Sequence, residues 1–260
     1  MGKLSGKVVI LTGASGGIGK QVAIRMAEEG AKLVICARRK EKLEDTKRLC
    51  EEAGAEVLAV QCDVSEREQL ENLVNQTIER FGTINVLVNN AMSSISGVPF
   101  IHQTMEDLEM TLKNNLYAIW TLMQLCYPHM KAAGGGSIVN VGSGSSQVGL
   151  VNCAAYASVK GALTSLTKVV ANEWGVDGIR ANLVHPATYT DTIAEGLTNV
   201  PAEVAEEYFK QTKAALANNP LKRMGDPYED VAPVYVFLAS DDSKFMTGQI
   251  LRVEGGQLMV

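Results

Sequence analysis

The sequence predicts an α/β fold built on a doubly wound, parallel sheet. Three observations predict it. Continuous apolar runs of strand length recur along the chain, as suits strands covered on both faces. Amphipathic helical stretches separate them in strict alternation. A glycine-rich turn joins the first strand to the first helix.

Residues 7–11, KVVIL, form the first apolar run. Thr12-Gly-Ala-Ser-Gly-Gly-Ile-Gly19 follows, and then a helical pattern, KQVAIRMAEEG. Gly13, Gly17 and Gly19 are spaced GxxxGxG, which lets the turn be tight and the backbone approach a pyrophosphate at the helix N-terminus. Ser15 and Ile18 lie within the same turn. The second strand, residues 32–37, ends in Arg38-Arg39-Lys40, with Ala37 where an acidic residue holds a ribose 2′-hydroxyl in many dinucleotide-binding folds. Arginine there suits a 2′-phosphate, because its planar fork donates two hydrogen bonds at once. NADP(H) is therefore expected in preference to NAD(H).

A helix over 41–53 leads to a strand over 56–62 and then to Asp63-Val64. That carboxylate stands at the ligand crevice, where it can accept from an adenine amine; it also suits capping of the next helix, 66–81, with Ser65 and Glu66 assisting. The strand at 85–88 ends in Asn89-Asn90-Ala91, two amides fit for bracing backbone and contacting a cofactor. Residues 93–104 read as a loop over the sheet edge, of the kind that meets substrate. A helical pattern runs from about 105 to 133, with a kink or break expected at Pro128. Asn115, unhelpful to a helix interior, is a candidate for holding water near the site, or else a solvent-facing side chain.

Residues 138–141 read as a buried strand, followed by Ser143, a loop of small polar residues, and a helix carrying Tyr156 and Lys160. Four apart, those two side chains share one helix face. An ammonium there favours a phenolate, lowering the tyrosine pKa and making a proton donor that works near neutrality. Ser143 stands where it can hold a substrate oxygen beside the phenol. Residues 191–225 read as a helical lobe covering the substrate, with Ile193, Leu197, Tyr208, Phe209 and Leu216 as its apolar floor. A helix over 230–238 and a strand over 248–254 complete the chain.

Composition narrows the function. With 46% hydrophobic and 20% charged residues, the 260-residue chain is ordinary for a soluble protein with an ample core. No linker or repeat interrupts the pattern, so one domain over 1–260 is expected. A net charge of −5 and a pI near 5.4 argue against nucleic acid or an anionic membrane as partner. Five scattered cysteines and three separated histidines show no metal-ligand spacing, so no metal site is expected and a reduced, cytoplasmic protein is.

TGASGGIG at 12–19, Asp63, NNA at 89–91, Asn115, Ser143 and YASVK at 156–160 occur in one order and spacing. Together they resemble the short-chain dehydrogenase/reductase family over almost the whole chain. That resemblance implies a single Rossmann-like domain, a homotetramer, and hydride transfer between a nicotinamide and a carbonyl or alcohol carbon. It makes Tyr156 the general acid/base, while Lys160 lowers its pKa and holds the nicotinamide ribose. Ser143 orients the substrate oxygen, and Asn115 anchors a water in the proton relay. It also extends the cofactor contacts over Ser15, Ile18, Arg39, Val64 and Asn90, and to Tyr189 by its backbone.

Two departures from the family pattern face the substrate. Met92 replaces a glycine, and Pro186-Ala187 replaces a Pro-Gly turn, which leaves Thr190, Asp191 and Thr192 as alternatives for one nicotinamide contact. Within the family, NNAMSSISGV at 89–98, CYPHMK at 126–131 and NEWGVDGIRANLVHP at 172–186 look most like bacterial 12α-hydroxysteroid dehydrogenases. A hydroxysteroid or bile-acid substrate is the expectation that follows, contacted by the loop 144–155. The alternatives are a 3-oxoacyl thioester reductase, for which the acidic pI offers no basic patch toward a carrier protein, and a non-catalytic nucleotide sensor. The latter predicts decay of a catalytic set that is in fact intact.

Overall fold

In a computed structural model of the chain, residues 2–93, 97–188, 190 and 217–258 are described, with 206, 210, 213 and 214 besides. The apolar runs become strands because alternate side chains can bury on opposite faces. In β1, Val8–Thr12, all five residues are buried. Val9 and Leu11 enter one hydrophobic cluster and Ile10 the other. β2 (Lys32–Ala37) and β4 (Val86–Asn89) split their side chains in the same way.

The remaining strands are β3 (Val57–Gln61), β5 (Gly136–Val141), β6 (Ile179–Pro186) and β7 (Ile250–Val253). All pair in parallel, in the order β3-β2-β1-β4-β5-β6-β7. Helices α1 (Gly17–Glu28), α2 (Lys40–Glu52) and α7 (Ala232–Ala239) bury their apolar stripes on one face. Helices α3 (Arg67–Phe81), α5 (Ala118–Ala132) and α6 (Ala154–Trp174) cover the other. The fold class is thus the Rossmann-like one expected. Because β1 lies between β2 and β4, the strand order reverses there, and a crevice opens beyond the carboxyl ends of β1 and β4.

The break expected at Pro128 lies elsewhere. α5 runs through that proline, whose ring and the Gln124 carbonyl it leaves unbonded are both on the exposed side, where solvent can satisfy the oxygen. The interruption comes earlier, at Lys113–Tyr117, a wide turn separating α5 from α4 (Met105–Leu112). There the side-chain amides of Asn114 and Asn115 donate to the carbonyls of Met110 (2.8 Å) and Thr111 (2.9 Å), competing with the backbone ladder and opening the helix.

Smaller differences concern the ends of elements. α7 starts later than expected, after a wide turn over Pro227–Val231, because Asp226 caps that turn by accepting from the amides of Tyr228 and Glu229, both at 2.8 Å. β7 is four residues long rather than seven. Most of the lobe expected over 191–225, with the five apolar residues assigned to it, lies outside the described residues. So does the Tyr189 contact. Its two roots are joined, for Thr188 bridges Gly225 and donates its hydroxyl to the Gly225 carbonyl.

Candidate active site

The glycine turn is held from three sides. The amides of Gly13 and Ala14 donate to the Cys36 carbonyl at 2.8 and 3.1 Å, fastening the turn to β2. The Asn90 side-chain amide donates to the carbonyls of Thr12 and Gly13 at 3.0 and 3.2 Å. The Thr12 hydroxyl accepts from the amides of Asn90 and Ala91, both at 3.0 Å, closing β1 against β4. Gly13 has φ of +72°, and a β-carbon on Gly19 would stand 2.3 Å from the Gly13 carbonyl oxygen, so both positions need glycine. Gly17 and Ile18 open α1, which has no side-chain cap and no acidic residue in its first turn. Its N–H groups and dipole therefore suit an anionic pyrophosphate.

The two amides at the end of β4 divide their labour. Asn90 braces the turn as described, whereas Asn89 is buried and donates to Asn140 on β5 (2.8 Å), which in turn donates to Thr167 on α6 (2.9 Å). At the end of β2, Arg39 carries its guanidinium back to the glycine turn and donates to the Ser15 hydroxyl at 3.2 and 3.4 Å. Arg38 is exposed, and its charge reaches Asp63.

Asp63 does not cap α3. Its Oδ1 accepts from the Ser65 amide at 2.9 Å, closing a tight turn, while α3 starts at Arg67 with Glu66 at the N-cap position and no side-chain cap. Burial works to raise the Asp63 carboxyl, but the Ser65 hydrogen bonds and the charges of Arg38 and Lys113 leave it below its ordinary value. It stays ionised just past the carboxyl end of β3, beside Val64.

At the other end, β5 delivers Ser143 and α6 delivers Tyr156 and Lys160. Ser143 is held by its neighbour: the Ser145 hydroxyl donates to Ser143 Oγ at 2.9 Å and the Ser145 amide donates to it at 3.2 Å. Lys160 is fully buried, donates Nζ to the Val141 carbonyl at 2.7 Å, and stands 5.7 Å from the centre of the Tyr156 ring. Burial pulls its pKa down to about 8.

The lowering of the Tyr156 pKa expected from Lys160 is not what this arrangement produces. Burial pushes the phenol above its ordinary value, and the Ser143 hydroxyl opposes only part of that rise. The ammonium is turned to a carbonyl and is itself drawn toward neutrality, so it does little to favour a phenolate. The phenol is held as an acid.

Asn115 is fully buried, which removes the solvent-facing alternative. Its amide donates to the carbonyls of Thr111 and, at 2.6 Å, Ser93, so it pins the loop after β4 to the wide turn. Its Oδ1, though buried, meets no donor among the described residues.

Sequence reasoning gave no role to three further residues here. Ser145 and Gln103 have no spacing that announces them. His185, at the end of β6, is fully buried with neither ring nitrogen partnered among the described residues, and it packs on Gly142, next to Ser143. A β-carbon on Gly142 would stand 2.3 Å from His185 Nε2.

Among the described residues no cluster of histidine, cysteine and acidic side chains forms a metal site, and no helix is long and apolar enough to cross a membrane.

Residues 13–257 match the family described as Enoyl-(Acyl carrier protein) reductase. The chain is 37% identical to a 12α-hydroxysteroid dehydrogenase from Clostridium sp., over 98% of each chain. It is 33% identical to a 3-oxoacyl-[acyl-carrier-protein] reductase from Thermotoga maritima, again over 98% of each. Among solved structures, a 7α-hydroxysteroid dehydrogenase complexed with NADH and 7-oxo glycochenodeoxycholic acid superposes with a TM-score of 0.87 at 30% identity, covering 99% of this chain and 97% of that one.

Proposed function

The chain belongs to the short-chain dehydrogenase/reductase family, oxidoreductases that use a nicotinamide cofactor, and on that premise we propose that it is an NADP(H)-dependent enzyme interconverting a secondary alcohol and a ketone on a hydroxysteroid or bile acid. The observation that carries this reading is Tyr156 in the first turn of α6, with Lys160 Nζ 5.7 Å from its ring centre and Ser143 just past the carboxyl end of β5. A phenol so placed is a proton donor to a carbonyl oxygen. The substrate class is supported by likeness to the 12α- and 7α-hydroxysteroid dehydrogenases. Apolar side chains exposed about the loops 93–104 and 144–155, among them Met92, Ile101 and Val151, support it further.

Gly13, Ser15, Gly17, Ile18 and Gly19 would hold the pyrophosphate, with Asp63 and Val64 at the adenine and Asn90, Tyr156, Lys160 and Tyr189 toward the nicotinamide. Bound there, the nicotinamide supplies a hydride to the carbonyl carbon, or takes one from the alcohol carbon. Ser143 holds the substrate oxygen, its own hydroxyl oriented by Ser145. Tyr156 gives its proton to that oxygen in reduction and, as phenolate, removes it in oxidation. Lys160 would hold the nicotinamide ribose. Asn115 keeps the wide turn open and offers Oδ1 to a water.

Arg38 and Arg39 lie at the end of β2, where a 2′-phosphate would stand. With charge-assisted hydrogen bonds worth about 1.5–3 kcal/mol, Arg38→Asp is expected to lower kcat/KM with NADPH by about 10- to 100-fold and to leave NADH within about threefold. Parallel assays with the two cofactors check this; a parent enzyme that uses both equally well would remove the role given to Arg38.

The reaction itself is tested by following NADPH consumption with a panel of ketosteroids, oxo bile acids and 3-oxoacyl thioesters. Turnover of the steroids is the expected result. Turnover of thioesters alone would assign the enzyme to thioester reduction, and NADPH binding without any turnover would assign it to sensing. The same proposal includes a homotetramer acting in the cytoplasm. Exposed Trp120 and Val169 on α5 and α6 offer apolar surface to neighbouring subunits, and all five cysteines are free thiols.

A further inference from the structure

Helix α6, which presents Tyr156 in its first turn, starts without a cap of its own. Cys153 occupies the N-cap position and makes no side-chain hydrogen bond. The missing acceptor comes from 52 residues away: the Ala155 amide donates to Gln103 Oε1 at 3.0 Å. The other end of the same side chain, Nε2, donates to the Val98 carbonyl at 2.8 Å.

Gln103 is itself firmly based. It directly precedes Thr104, whose hydroxyl accepts from the Asp107 amide while Asp107 accepts from the Thr104 amide, a reciprocal cap that fixes the start of α4. The loop 97–103 is fastened at its far end as well, for the Gly97 amide donates to the Asn152 carbonyl at 2.9 Å. Asn152 takes a left-handed conformation, φ +62°, one residue before the α6 cap. The loop therefore grips the chain at two points, Asn152 just before the catalytic helix and Ala155 in its first turn.

We infer that Gln103 is a positioning residue for Tyr156, coupling the 97–103 loop to the first turn of the catalytic helix by capping Ala155. Side-chain acceptors at a helix start settle the first-turn amides and with them the direction of the residues they carry. Tyr156 is the next residue after the capped amide, and a small displacement of a proton donor from its acceptor is costly in rate. The inference rests on the assignment of Tyr156 as proton donor.

Gln103→Leu, Gln103→Glu and Tyr156→Phe test it together, by steady-state kinetics on whichever ketone the enzyme reduces and by amide hydrogen exchange. In Gln103→Leu, kcat is expected to fall about tenfold, with the cofactor KM within about twofold of the parent. The amides of residues 155–158 are expected to exchange about tenfold faster. Gln103→Glu keeps an acceptor for Ala155 but no donor for Val98, and is expected to restore both readouts to within about threefold.

Unchanged exchange in Gln103→Leu would overturn the clasp, and faster exchange with unchanged kcat would overturn the positioning role. Equal losses in the Leu and Glu variants would overturn the cap as its cause. If Tyr156→Phe turns over like the parent, the proton-donor assignment fails and the inference with it. If that variant is inactive while Gln103→Leu is unaffected, the inference alone fails.

Discussion

Tyr156→Phe lowers kcat for ketone reduction by about 10²- to 10⁴-fold, the range for loss of a positioned general acid, while the dissociation constant for the nicotinamide cofactor changes little. The substitution removes one oxygen and leaves the ring, so packing against Lys160, whose Nζ lies 5.7 Å from the ring centre, survives. Stopped-flow or steady-state rates, with cofactor binding followed by fluorescence, check both halves. A variant retaining half the parent kcat would remove Tyr156 from the mechanism. The pH profile follows from the same environment. Burial raises the phenol above its ordinary value, so reduction, which needs the acid form, holds level through neutrality and declines only at alkaline pH. Oxidation needs the phenolate and rises over the same alkaline range.

Acid is expected to destabilise the parent protein by about 3 kcal/mol through His185. Its imidazole is fully buried, and burial first, then the charges of Arg252 and Lys160, lower its pKa to about 4 from 6.5. The unfolded chain therefore takes up this proton first as pH falls. Stability from the neutral imidazole is fully present above about 6.5 and is lost progressively down to about 4. The nearby titratable groups do not mimic this. Lys160, on α6, titrates near 8, and Tyr156 on the same helix only above its ordinary value. Elsewhere in the chain Asp230, held down to about 2 by its Arg223 ion pair, acts at lower pH. His185→Leu has no buried nitrogen to protonate, and its urea-unfolding free energy is expected to stay flatter by about that amount between pH 6.5 and 4. Parallel curves for parent and variant would show that His185 does not control the acid limb.

The elements that carry the dinucleotide crevice were legible because their signals are local. A run such as KVVIL has few alternatives to a strand covered on both faces, and TGASGGIG after it needs its glycines for reasons visible in a single turn. Pro128 misled because its usual effect depends on which way it faces, and facing is settled by packing. Asp63 looked like a cap by spacing, but the chain after β3 turns back on it through Ser65 before α3 begins.

What the sequence alone determined is the inventory: an alternating sheet, a turn able to receive a pyrophosphate, and Ser143, Tyr156 and Lys160 on successive elements at one end of it. What only the tertiary structure decided is how those groups are held and charged. Lys160 is turned to the Val141 carbonyl, the Tyr156 phenol is raised rather than lowered, and α6 is capped by Gln103 from a distant loop. The reason is physical. Periodicity and turn chemistry act over a few residues, whereas desolvation and hydrogen-bond partners depend on atoms that approach only when the chain has folded.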